Sequence, residues 1–269
     1  MKKYTKFTIF IALILTICSF FCNAKPFSKH EKHAKADVVP SELELQEYQK
    51  LEHGIPTSIP STESNDEYFE KTDTIPSENY TVVIDAGHGG PDPGSIGYKT
   101  KVYEASLNLK ISKMLEEKLK SSKINVVMTR ETDAALAEGR GRAFKKRDME
   151  MRKDIIKDVR PNMVISIHQN SYTSHNLRGA QVFYDKSSDI SKQIADLIQK
   201  EFQNSLPNAN KSISPGDYYM LKCTAAPSVI VECGFLSNAD EEALLLSEAY
   251  QQKIVDAIYL GIINFLQTK

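Results

Sequence analysis

The sequence predicts a single α/β domain over residues 80–269, with a mostly parallel central sheet flanked by helices. Two observations carry that expectation. Short apolar runs such as TVVIDA, INVVMT, NMVISIH and SVIVEC alternate with longer segments of helical period. The chain also has no internal repeats, which excludes a solenoid or propeller.

The elements follow in order. TVVIDA (81–86) reads as a buried strand, then comes a glycine-rich loop, GHGGPDPGSIG. YEASLNLKISKMLEEKLKSS is an amphipathic helix with Leu107, Ile111, Leu115 and Leu119 on one face. INVVMT is the second strand, and the charged segment 143–158 reads as a helix that stops at Pro161. NMVISIH and AQVFYD are the third and fourth strands, and residues 188–204 form another helix. YYMLK and SVIVEC read as further strands. The C-terminal ADEEALLLSEAYQQKIVDAIYLGIINFLQ is one helix or a broken pair.

The first 79 residues differ in kind. MKKYTK is a positive start, Phe7–Cys22 is apolar, and CNA places small residues at a cleavage site after Ala24. Residues 1–24 are therefore a signal peptide or a retained membrane anchor, and the remainder lies outside the cytoplasm. Contact with a membrane is expected only through this segment. Neither LTIC nor SFFC makes a lipobox, because a bulky residue precedes each cysteine. Residues 25–79 read as a flexible charged tether. It holds one helix, between the capping box Ser41/Glu44 and Gly54. The metal-like HEKH at 30–33 is incidental in such a segment. A net charge of −1 gives no electrostatic reason for nucleic-acid binding. Past the signal only Cys223 and Cys233 remain, and free thiols and a disulfide are equally open.

Three expected strands end in chemistry: the first at His88, the third at His168, and SVIVE at Glu232. In open α/β sheets the binding crevice lies outside the carboxyl ends of the strands. Glu104, at the start of the first helix, lies close to where His88 leaves the sheet. Two histidines and a carboxylate suit a catalytic zinc with a fourth position open to water. A second carboxylate beside that water would move its proton to a leaving amine. Spacing favours Glu104 as ligand and Glu232 as base. It leaves open a hydrogen-bonded core role for His168 and an arginine partner for Glu232.

VVIDAGHGGPDPG, YEASLNL, SIHQN and VIVECGFLSN together resemble the four signature blocks of the zinc-dependent N-acetylmuramoyl-L-alanine amidases of the Amidase_3 type. Order and spacing agree over about residues 80–269. The resemblance implies an α/β fold around one zinc ion (Zn2+). His88, Glu104 and His168 would be its ligands and Glu232 the catalytic carboxylate. The reaction implied is hydrolysis of the amide joining the lactyl group of N-acetylmuramic acid to L-alanine in peptidoglycan. At Gln169 the chain departs from the alanine common in the family. Gln169, Asn170 and Arg130 are candidate substrate contacts. For Gln169 the strand alternation favours a structural role, and for Arg130 so does pairing with Asp133. Asn108, one turn after Glu104, is placed to orient it, and His175 reads as a surface residue.

A single catalytic domain behind an N-terminal signal or anchor resembles the spore-type members, which act on cortex peptidoglycan on the route to muramic-δ-lactam. A vegetative cell-wall amidase is the alternative. An inactive wall-binding module, or one that depends on an activating or accessory protein, is the other.

Overall fold

A computed structural model describes residues 80–268. The expected signal or anchor (1–24) and the tether (25–79), with its Ser41–Gly54 helix, lie outside those residues.

Six strands among the described residues form one sheet: β1 (Thr81–Ala86), β2 (Asn125–Met128), β3 (Met163–Asn170), β4 (Gln181–Tyr184), β5 (Ser214–Pro215) and β6 (Ser228–Phe235). Their spatial order is β2-β1-β3-β6-β4-β5. The first four in that order run parallel, β4 pairs antiparallel with β6, and β5 follows β4 in parallel. The sheet is thus mostly parallel, as the sequence predicts. This order sets β1, β3 and β6 side by side, so residues about 80 and 60 positions apart in the chain finish at one edge.

The helices are α1 (Glu104–Ser121), α2 (Gly141–Val159), α3 (Asp189–Ser205), α4 (Tyr219–Lys222), α5 (Ala239–Leu246) and α6 (Glu248–Leu266). Strand alternation sorts the side chains into two layers. Val82, Ile84, Ala86, Ile165, Ile167, Val229 and Val231 face a large core closed by α1, α3 and α6. Leu107, Ile111, Leu115 and Leu119 contribute from α1, on the face expected for them. Val83 and Val164 face a smaller cluster with Ile156 of α2 and Met220 of α4.

One expectation is corrected, and one left open is resolved. YYMLK is the short helix α4, not a strand. Met220 and Leu221 are buried consecutively while Tyr218 and Tyr219 are exposed, which is a helical pattern and not an alternating one. Cys223 and Cys233 are free thiols. Cys233 belongs to the large core and Cys223 packs on the smaller cluster, so the sheet itself separates them. The C-terminal segment is a broken pair, interrupted at Ser247, whose extended ψ of 127° ends α5. The two-residue strand β5, which contains Pro215, has no counterpart in the sequence reading. Proline cannot donate to a ladder and occurs at edges, and β5 is the edge.

Candidate functional site

His88 stands two residues beyond β1, at φ 62°. A left-handed conformation costs a β-carbon-bearing residue about 1–2 kcal/mol, so something must hold it. Arg152 of α2 does: one guanidinium nitrogen donates to the carbonyl of His88 at 2.6 Å, and another to that of Ala86 at 2.8 Å. Arg152 is itself 1% exposed and bonded to Asp85 (2.7 Å) and Asp148 (2.8 Å). Asp85 also accepts from Thr129 and Ser166. Burial would raise the Asp85 carboxyl, but the Arg152 charge and the Ser166 hydroxyl outweigh it and lower it to about 2.

The imidazoles meet a single carboxylate oxygen. Glu104 Oε1 lies 3.2 Å from His88 Nε2 and 3.0 Å from His168 Nδ1. The two rings sit 5.0 Å apart at 80°. One potential ligand atom from each of the three residues lies within 4.8 Å of the other two, so the group could hold a metal ion. His88 and Glu104 are each oriented by neighbours outside the group. Asp92 Oδ2 is 3.0 Å from His88 Nδ1 and fixes the tautomer that offers Nε2. The Ser95 amide donates to Glu104 Oε2 at 2.7 Å, and the Gln169 amide and Asn108 Nδ2 donate to Oε1 at 3.1 and 3.3 Å. Burial opposes ionisation of Glu104, yet the bonds from His168 and His88 hold it well below the usual carboxylate range. Burial likewise opposes a charge on His168, and the Glu104 bond raises it.

Glu232 is the register partner of His168 across β3 and β6, so both side chains leave the same face. Among the described residues no arginine pairs with it, and its buried Oε2 makes no hydrogen bond. Burial pushes its carboxyl up to about 7, with His168 pulling down and Glu104 pushing up. A carboxyl group that exchanges a proton near neutrality, beside a histidine–carboxylate cluster, is equipped for acid–base work.

The structure gathers His88, Glu104 and His168 in one cluster and sets Glu232 across from His168. Gln169 turns inward: it is 2% exposed, its side chain donates to Asn108 Oδ1, and it stands against the Cys233 thiol. Asn170 is half-buried and accepts from the Ser171 amide where β3 shifts register. Arg130 is buried and takes the structural role favoured for it over a substrate contact. Its guanidinium donates to the carbonyls of Ala86, Gly87, Ala105 and Thr132, bracing the strand end, and lies 3.9 Å from Asp133. His175 is exposed, stacked on Tyr98 and bonded to the Ser237 carbonyl. Asp92, Arg152 and Glu242 were not singled out by sequence. Glu242 accepts from the Lys99 and Thr100 amides and the Thr100 hydroxyl, which pins the loop leading into Glu104.

A mostly parallel sheet with a histidine–carboxylate cluster at its strand ends, able to hold a metal ion, has the build of a hydrolase. The sequence model of the N-acetylmuramoyl-L-alanine amidase family matches residues 82–264, and the chain belongs to that family. It is 31% identical over 200 residues to the germination-specific N-acetylmuramoyl-L-alanine amidase of Bacillus subtilis, covering 73% of this chain and 84% of that one. Among solved structures it is similar to the CwlD amidase of Clostridioides difficile in complex with the GerS lipoprotein. There the TM-score is 0.68 at 38% identity, covering 71% of this chain and all of that one (100%). The catalytic domain of the amidase CwlV from Bacillus (Paenibacillus) polymyxa matches at TM-score 0.63 and 33% identity, over 71% of this chain and 99% of that one.

Proposed function

We propose that this chain is a zinc-dependent amidase. It hydrolyses the bond between the lactyl group of N-acetylmuramic acid and L-alanine in peptidoglycan. The observation that carries the reading is the convergence of His88 and His168 on one Glu104 oxygen, with the unpartnered Glu232 carboxylate alongside.

The donor set fits zinc. Two imidazoles and a carboxylate are borderline-hard nitrogen and oxygen ligands, three in number, as in hydrolytic zinc sites that keep one position open. The orphaned Glu232 oxygen fits as well, because a buried carboxylate without a partner calls for a polar occupant beside it. Bound by these residues, zinc supplies Lewis acidity at the scissile carbonyl and acidifies the attacking water.

The rest is the chain's own chemistry. Asp92 and Asn108 keep His88 and Glu104 aimed. Glu232 takes a proton from water as its oxygen attacks the carbonyl carbon. It returns that proton to the alanine nitrogen as the C–N bond breaks, leaving a lactyl carboxylate and a free amine.

Three finer readings rest on the likeness to the germination-specific amidase and to CwlD. The substrate is spore-cortex peptidoglycan. The catalytic domain, residues 80–269, works outside the cytoplasm. An accessory protein takes part, an idea supported by the complex of CwlD with a lipoprotein.

The test is mass spectrometry of purified cortex and vegetative wall incubated with the protein and zinc. Stem peptides bearing a free L-alanine amine, abolished by a chelator, are the expected products, with cortex the better substrate. Release of peptides cut within the stem, or loss of acetyl groups alone, would overturn the reading.

A further inference from the structure

The antiparallel strand β4 gives the crevice a second wall beyond Glu232. Gln181 is the register partner of Glu232 in that pairing, so His168, Glu232 and Gln181 form one row on one face of the sheet. The Gln181 amide is locked. Its Nε2 donates to Ser214 Oγ at 2.8 Å and to the Ser212 carbonyl at 3.2 Å. A carbonyl only accepts, so the amide nitrogen is fixed on the β5 side and Oε1 is turned away from it. Two residues on, Phe183 leaves the same face and meets Tyr218 edge to face, 5.5 Å between centroids. Tyr218 is 41% exposed and lies over Gly216, where any β-carbon would strike its ring. Burial and the Glu232 charge raise its phenol above the ordinary range.

We propose that Gln181, with Tyr218 as aromatic wall, forms the subsite for the stem peptide, Gln181 Oε1 accepting a hydrogen bond from a peptide N–H just beyond the scissile alanine. The inference deepens the amidase reading and rests on it. The polarity of the bond follows from proton transfer: the group that protonates the leaving nitrogen must lie within hydrogen-bond reach of it. The alanine end therefore lies on the Glu232 side, and the chain it carries continues over β4. The lactyl and glycan end lies on the opposite flank, toward His88.

The experiment is a pair of titrations of the isotopically labelled, zinc-loaded full chain followed by heteronuclear NMR, one with the free stem tetrapeptide and one with the disaccharide lactic acid product. The tetrapeptide is expected to shift the Gln181 side-chain amide and the backbone amides of β4. The disaccharide is expected to shift the loop His88–Asp92 instead. Gln181→Met, which keeps the shape and removes the acceptor, is expected to weaken tetrapeptide binding about tenfold. It should leave the spectrum otherwise native and alter the disaccharide affinity less. Ser214→Ala, which frees the amide, should act in the same direction more weakly. Tetrapeptide shifts confined to the His88 flank, equal weakening of both products by Gln181→Met, or no effect of that variant would each overturn the subsite. Failure of the amidase reading is read separately, from the masses of digested peptidoglycan.

Discussion

Arg152 of α2 donates to the backbone carbonyl of His88 at 2.6 Å, and so a buried cation holds that histidine in a left-handed conformation. The pair explains why a helix of largely charged sequence packs against the sheet. Phe144, Asp148, Arg152 and Ile156 recur every fourth residue as its buried stripe, and the two polar members sit where β1 ends. Arg152→Met removes that hold and leaves Asp85 as an unpaired buried charge. Breaking such a pair costs about 3–5 kcal/mol. Denaturant unfolding should show that loss, and calorimetry should show weakened zinc binding at temperatures where the variant is still folded.

The same network sets an acid limit. Asp85 is held at about 2 when folded, against an unfolded value of 3.8. The folded value is the depressed one, so the stabilisation is complete above about pH 4 and drains away as pH falls toward 2. Unfolding free energy measured across that interval should decline with falling pH, and Asp85→Asn should flatten the slope.

Gly87 lets the His168 ring lie against the end of β1. A β-carbon there would collide with the Cε1 and Nε2 atoms of His168, although the backbone of Gly87 is not in a glycine-only conformation. Gly87→Ala should therefore displace the ligand and not the fold. Zinc stoichiometry should drop while the circular-dichroism spectrum stays native.

Glu242 reaches from α5 to the loop before Glu104 and takes three hydrogen bonds there. It is 1% exposed, and hydrogen bonds to a charged group contribute about 1.5–3 kcal/mol. Glu242→Ala should speed hydrogen exchange at the Lys99 and Thr100 amides and lower zinc affinity through the loosened Ser95–Glu104 contact.

Much of this was legible in the sequence because the candidate site side chains close elements whose period is plain. His88, His168 and Glu232 follow apolar strand runs, and Glu104 opens an amphipathic helix. The supporting residues carry no such mark. Arg152 and Asp148 lie in a helix so rich in charge that a buried stripe looks like a solvated face. Glu242 is one of three acids in the first turn of α5, where acids are expected anyway. Its task is set by a loop more than 140 residues away in sequence. For Arg130 the favoured Asp133 pairing was legible, but the backbone carbonyls it braces were not, because they come from segments distant in sequence. The α4 segment misled because four residues are too few to separate a period of two from one of 3.6.

In the proposed site His88, Glu104 and His168 hold metal and Glu232 moves a proton. The measurement that tests this division most directly is zinc content and turnover on cortex peptidoglycan for Glu232→Gln beside His168→Ala. Glu232→Gln should keep its zinc and lose about 10²–10⁴-fold in rate, and His168→Ala should lose zinc and activity together. A Glu232→Gln protein that loses its zinc yet regains full rate when zinc is resupplied would contradict the account.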